Sequence, residues 1–180
     1  MPAAPARTDE IWAALADVPD PEIPSVSVID LGIVHRIAFD GERRGARPER
    51  LRVEILPTFV GCPAVDAIRA AIADRLTGFA DHVAVEVTFA VPWTSDRISA
   101  DGRRKLRESG FAPPTTPAAP ISASSGDLLP VLPSFTLGVV TCPYCGSRNT
   151  NLDNAFGPTL CRSIHYCRDC RQPFEQFKTV

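Results

Sequence analysis

A chain of 180 residues holds one ordinary domain, or one small domain with an appended module. Hydrophobic residues make up 44% and the formal charge is -2, with a pI near 5.9, so nothing global attracts nucleic acid or an anionic membrane surface. No stretch approaches the ~20 apolar residues that span a bilayer, and MPAAPARTDEIWAAL lacks the basic segment and long apolar run of a secretory signal.

The expected location is therefore the cytoplasm, without a membrane. In that reducing compartment clustered cysteines more often bind metal or do redox work than form structural disulfides. Six cysteines are present, and five of them crowd into the last forty residues.

Residues 8–110 read as a compact α/β domain. Thr8 is placed to cap a first helix, with Asp9 and Glu10 in its first turn and Ile11, Trp12 and Leu15 as its buried stripe. The prolines of DVPDPEIPSVSVIDLGIV then stop the helix and extend the chain. Residues 33–39 predict a strand, DGERRGARPER a charged connection, and 51–56 a second strand alternating Leu51, Val53 and Ile55 with Arg52 and Glu54. A helix is predicted over 63–77, with Pro63 at its first position, Val65, Ile68, Ile72 and Leu76 on one face, and Gly78 at its end. A strand over 83–89 follows, pointing Val83, Val85, Val87 and Phe89 to one side; the strand–helix–strand order implies a parallel crossover. Residues 95–109 predict a short helix that exposes Arg103, Arg104, Lys105 and Arg107.

Residues 111–138 are a Pro/Ala/Ser-rich linker, too poor in large apolar residues for a core. Residues 139–180 form a second unit. In CPYCGSRNTNLDNAFGPTLCRSIHYCRDC, Cys142/Cys145 and Cys167/Cys170 are two pairs with two residues between the partners. Each pair lets a tight turn aim both sulfurs at one ion, and together they supply the four thiolates of a closed tetrahedral site. The 21 residues between the pairs slightly exceed the usual ribbon spacing, which a longer hairpin absorbs. A unit of this size needs metal for much of its stability. Four thiolates suit zinc, and equally iron or an iron–sulfur cluster. Cys161 is a spare candidate ligand or a small buried hydrophobe; His165 reads as a packing residue. Five Lys/Arg against three acids over 139–180 is thin for phosphate binding, and Phe174 and Phe177 read as core rather than base-stacking platforms.

In PTFVGCPAVDAI, Cys62 stands where a helix begins. Helix-end N–H groups favour a thiolate there, so a depressed pKa and a displayed sulfur are one reading; a buried structural cysteine is the other. Asp20 and Glu22 flank Pro21, either shaping the turn or offering oxygen donors near Cys62. Asp30–Gly32 reads as a turn into the strand. His35 shares parity with Ile33 and Ile37 and reads as half-buried; only His35 or His82 would make Cys62 a nucleophile with a base.

DPEIPSVSVIDLGIVHRI followed by PTFVGCPAVDAI resembles the MIP18 (DUF59) family over residues 8–105. That resemblance implies a small mixed-sheet α/β (α+β) domain linked with iron–sulfur protein maturation, and here a zinc-ribbon-like module follows it. With the four-cysteine tail, the chain is similar to the family of small D (or J) subunits of phenylacetyl-CoA epoxidase, the ring 1,2-epoxidase of aerobic phenylacetate degradation. The resemblance implies an accessory, non-catalytic role beside the other epoxidase subunits, assisting iron or iron–sulfur centres in the oxygenase or reductase. The alternatives are a general iron–sulfur assembly factor and a purely structural subunit. It implies transient iron or a cluster at Cys62, with Asp20 and Glu22 at signature positions. The chain itself has no helix pair with Glu-x-x-His diiron ligands and no glycine-rich dinucleotide fingerprint.

Overall fold

The computed structural model describes residues 5–44, 47–59, 61–115 and 139–179. Helix α1 (Pro5–Ala16) starts before Thr8, because Pro5 supplies the fixed φ and missing N–H that suit a first helical turn. It buries Ile11, Ala14 and Leu15, with Trp12 only partly covered.

The proline-containing loop that follows sends its apolar side chains into the core, while Pro19, Pro21, Pro24 and Ser25 stay exposed. Val18, Ile23, Val26, Val28, Leu31 and Ile33 are all at least 97% buried. Backbone pairs such as Asp20 N–H to the Val26 carbonyl (2.8 Å) and Val28 N–H to the Val18 carbonyl (3.0 Å) hold the loop, and side chains add to them: Asp20 Oδ1 accepts from the N–H groups of Glu22 (2.9 Å) and Ile23 (2.8 Å), and Trp93 Nε1 donates to the Leu31 carbonyl at 2.9 Å. Gly32 (φ +62°) leaves no room for a Cβ against the Arg97 carbonyl.

Strands β1 (Val34–Arg44) and β2 (Arg47–Ile55) pair antiparallel, and β3 (His82–Val87) pairs parallel with β2 from Arg50↔His82 to Ile55↔Val87. The charged segment read as a connection is thus mostly strand, with Asp40↔Arg50, Arg43↔Pro48 and Arg44↔Arg47 in register. Helix α2 (Val65–Arg75) makes the crossover and buries Ile68 and Ile72 against the Leu51, Val53 and Ile55 face. Pro63 is not its first residue: Ala64 is the N-cap, and the Val65 N–H reaches back to the Cys62 carbonyl at 3.3 Å. The helix ends at Arg75, with Gly78 (φ +107°) beyond it. β3 stops at Val87, so Phe89 escapes the inward pattern and is 67% exposed.

The predicted 95–109 helix is two pieces, a 3-10 turn at Ser95–Arg97 and α3 (Ala100–Glu108), divided where Ser99 turns extended to accept the Gly102 N–H at 2.9 Å. Two of its basic residues are not free surface charges. Arg103 donates to the Ser95 and Pro114 carbonyls, and Lys105 Nζ lies 2.7 Å from Asp30 Oδ2. Gly102 admits the Asp30 carbonyl, which a Cβ would meet at 2.6 Å.

Asp30 also accepts from the Ser27 N–H (2.9 Å) and hydroxyl (3.0 Å). Burial pushes its pKa up, but the Lys105 and Ser27 hydrogen bonds and the Lys105 charge outweigh it and hold the carboxyl below the ordinary value. The folded pKa is therefore below the unfolded one. The stability it contributes is complete above the unfolded value of about 3.9 and is lost as pH falls through the folded one. Asp30→Asn is expected to cost about 1–2 kcal/mol at neutral pH and to flatten this acid-side loss, measured by denaturant titrations at several pH values. An unchanged acid limb contradicts it.

The second sheet has the order β4-β7-β6-β5: β4 (Phe111–Ala112), β5 (Thr150–Asn154), β6 (Arg162–Cys167) and β7 (Pro173–Phe177). β5–β6 and β6–β7 are antiparallel, and β4 adds parallel to β7 through Phe111↔Glu175 and Ala112↔Gln176. Phe111–Ala112, at the head of the 111–138 stretch, thus carry the first unit into the second sheet; residues 116–138 of that stretch lie outside the described residues. Phe177 and Cys161 belong to the core of the α/β unit, and Phe177 meets Trp93 at 5.8 Å between ring centroids. Phe174 is buried in the ribbon's own small core with Val140, Cys142 and Cys167. No helix among the described residues is long and apolar enough to cross a membrane.

Candidate functional site

Two similar turns build the sulfur cluster of the ribbon. In the first, the Gly146 N–H returns to the Cys142 carbonyl at 3.0 Å and Gly146 takes φ +73°. In the second, Arg171 takes the corresponding place after Cys170 with φ +59°. A non-glycine residue in that conformation costs about 1–2 kcal/mol, a strain the rest of the site sustains. Asp169 ties the turns together, accepting from the Ser147 hydroxyl and from Asn149 Nδ2.

The four thiols face one point. Cys142 and Cys170 sulfurs are 3.7 Å apart, Cys145 and Cys167 sulfurs 3.6 Å, and all four lie within 4.8 Å of one another. These separations are far beyond a disulfide bond. They approach the roughly 3.8 Å edge of a tetrahedron drawn with metal–sulfur bonds of about 2.3 Å. Four sulfurs this close could hold a metal ion between them. Crowding also splits the thiols: N–H groups led by that of Cys170 pull Cys167 down to about 7, while desolvation and its neighbours push Cys170 up to about 12. A bound cation would let all four ionise together.

Cys161 is not part of this quartet. Nor is His165, which stacks on Phe174 at 5.5 Å, lies 3.1 Å from the Ser163 hydroxyl, and is pushed below the usual imidazole value by burial.

The other predicted residues come together at a second place. Asp20, Glu22 and Cys62 line one partly open cavity of about 20 Å³, and Cys161 and Phe177 line it from the ribbon side. Cys62 is half-buried three residues before α2, its N–H held by the Phe59 carbonyl at 3.1 Å. Asp20 spends Oδ1 on its own loop, as described above. The Glu22 carboxylate lies 3.6 Å from Arg162, which pairs with Glu175 at 2.9 Å, reaches the Thr159 hydroxyl at 2.9 Å and stands 5.7 Å above the Phe111 ring. Arg162 is 92% buried, so one cation pins the signature loop, the ribbon and β4 at once. Sequence reasoning missed Arg162 and the placement of Cys161. The single signal was their adjacency in LCR, which says nothing about a partner more than a hundred residues away.

Residues 8–89 match the family described as "Iron-sulfur cluster assembly protein", and residues 133–178 match the "PaaD zinc beta ribbon domain". The chain is 36% identical, over 98% of its length and 96% of the relative's, to an Escherichia coli (strain K12) protein named as the D component of a "Putative 1,2-phenylacetyl-CoA epoxidase". A solved DUF59 domain of unknown function from Bacillus anthracis is 24% identical and covers 56% of this chain and 92% of its own, with a TM-score of 0.49. A Mycobacterium tuberculosis protein, described as associated with [Fe-S] complex assembly and repair, is 30% identical over 61% of this chain and 92% of its own, with a TM-score of 0.34.

Proposed function

The chain belongs to the family of 1,2-phenylacetyl-CoA epoxidase D components, an iron–sulfur cluster assembly (MIP18, DUF59) domain joined to a zinc beta ribbon, and from that premise we propose a role in assembling a partner's metal centre. In this reading the protein is an accessory subunit of the ring 1,2-epoxidase system. It catalyses no step of the epoxidation and helps to install or maintain iron or an iron–sulfur centre in the oxygenase or reductase. The ribbon holds a permanent ion, with zinc the choice, through Cys142, Cys145, Cys167 and Cys170. Zinc has no redox chemistry, and four thiolates leave it no open position, so its part is to hold the ribbon's shape. The iron-handling end is Cys62.

The reading is carried by Cys62 sharing a partly open cavity with Asp20 and Glu22, beside a ribbon whose four thiols form a separate group. Glu22 acts there through Arg162, which makes it a positioning residue. The thiol is thereby left as the group with free chemistry.

Cys62→Ala is expected to lower the iron content of the oxygenase co-expressed with this chain in cells, while the ribbon's ion stays bound. Undiminished oxygenase iron removes the role given to Cys62. Since Asp20 and Glu22 both have structural partners, that outcome favours the second reading, a subunit that only stabilises the complex.

A further inference from the structure

Cys161 is the thiol that the ribbon does not use. It is 8% exposed and packs in the core of the α/β unit. The Lys178 N–H holds its carbonyl at 2.8 Å, and its sulfur lies 3.1 Å from the Thr159 hydroxyl. It lines the same cavity as Cys62 although the two belong to different units of the chain. Most of the remaining wall is aliphatic, such as Ile23, Ile55 and Ile68. In such a wall two sulfurs are the soft donors, and a soft or borderline cation is the guest they favour.

We propose that this cavity is a second, exchangeable metal site, taking one thiophilic divalent cation between the thiolates of Cys62 and Cys161, one contributed by each unit. The inference deepens the proposed function and rests on it. The volume sets the guest: about 20 Å³ exceeds the roughly 10–15 Å³ that one water-sized particle needs, and it is too small for a cluster. Burial pushes the Cys161 thiol up, and the nearby Glu22 and Cys62 add to this against Thr159 and Arg162. The sulfur therefore stays protonated until a cation replaces the proton. Binding one divalent ion releases two protons to solvent and leaves the pair neutral.

Among the described residues, the ribbon quartet is the one group of three or more such side chains whose donor atoms lie within 4.8 Å. Two thiolates are half of the four that close the ribbon site, which makes this site weaker and faster to exchange than the ribbon. A site that hands its ion on needs that property.

The test titrates the full-length chain, prepared without oxygen, with Cd²⁺ alone, counting thiolate-bound equivalents by the sulfur-to-metal absorption band. Wild type is expected to bind two equivalents, the second leaving first under a mild chelator. Cys62→Ala and the near-isosteric Cys161→Ser should each lose the second equivalent and keep the first; Cys142→Ser should lose the first. Independently of any variant, the second equivalent should protect Cys62 and Cys161 together from a thiol-directed label in the wild-type chain. A single equivalent in wild type, or labelling of both thiols unaffected by the second, makes the cavity a packing void and overturns the proposal. A second equivalent lost in Cys62→Ala but kept in Cys161→Ser also overturns it, and leaves the proposed role of Cys62 intact. Two equivalents with the expected variant pattern, alongside unchanged oxygenase iron in cells, would instead sink the assembly role and leave the site.

Discussion

Cys142→Ser is expected to strip the ribbon of its ion and to unfold most of residues 139–179. The ribbon's own core is Ala112, Val140, Cys142, Cys167 and Phe174, and two of those five are proposed ligands. Of the three that remain, Val140 and Phe174 are each worth about 1.5–3 kcal/mol when fully buried and Ala112 less, and together they cannot order some forty residues. Structural zinc in small thiolate sites contributes about 10–16 kcal/mol. Losing one of four ligands forfeits a large part of that and leaves the Arg171 turn strained. Amide exchange should show β5 and β6 unprotected while β2 and α2 keep their protection, and metal analysis should show no tightly held ion. The effect should spread only as far as the shared packing, because Phe177 and Cys161 plug the neighbouring core. A variant with fully protected β5 and β6 and no ion would mean that the ribbon folds by packing alone.

Arg162→Ala should destabilise the protein by about 3 kcal/mol, through a broken buried charge pair rather than a cavity. Its guanidinium is buried between Glu22 at 3.6 Å and Glu175 at 2.9 Å. Glu175 Oε2 makes a charge contact there and lacks an aligned hydrogen bond, so much of the pairing is electrostatic. Removal leaves two carboxylates facing each other without their cation, and also forfeits the Thr159 hydrogen bond and the Phe111 face. For a chain of this length the loss corresponds to roughly 6–12 °C in Tm. Arg162→Lys should recover only part of it, because an ammonium cannot fork to two carboxylates and a hydroxyl at once. Adding Glu175→Gln to Arg162→Ala should restore stability, since the second change removes an orphaned charge; a double variant as unstable as the sum of its parts contradicts the network.

What is legible in the sequence is what is local and periodic. Leu51, Val53 and Ile55 alternate because their strand has one buried face, and Ile68 and Ile72 recur because α2 has one buried stripe. The parallel pairing of β2 with β3 follows from a helix between two strands. The C-x-x-C pairs are legible because a two-residue gap is itself a geometric instruction, and the four sulfurs do converge. Errors arise where a neighbour supplies what the local sequence withholds. Pro5 moves the start of α1 ahead of Thr8, and the short Cys62–Val65 turn moves the start of α2 beyond Pro63. Lys105 has the look of a solvated charge, but Asp30, 75 positions away, is its partner. Phe111–Ala112 have the composition of a linker, but an unpaired edge of β7 accepts them. The junction of Cys62 with Cys161 has no local trace, since packing between two units writes no periodicity into either.

On the proposed reading the chain keeps sulfur in two places with two different holds on metal. Metal and acid-labile sulfide analysis of protein purified without oxygen tests it most directly, comparing wild type with Cys62→Ala and Cys142→Ser. Expected are one firmly held zinc that Cys142→Ser removes and Cys62→Ala keeps, substoichiometric, chelator-labile iron that Cys62→Ala removes while the zinc stays, and no sulfide. Iron that persists in Cys62→Ala, or sulfide retained with the ribbon cysteines, contradicts it.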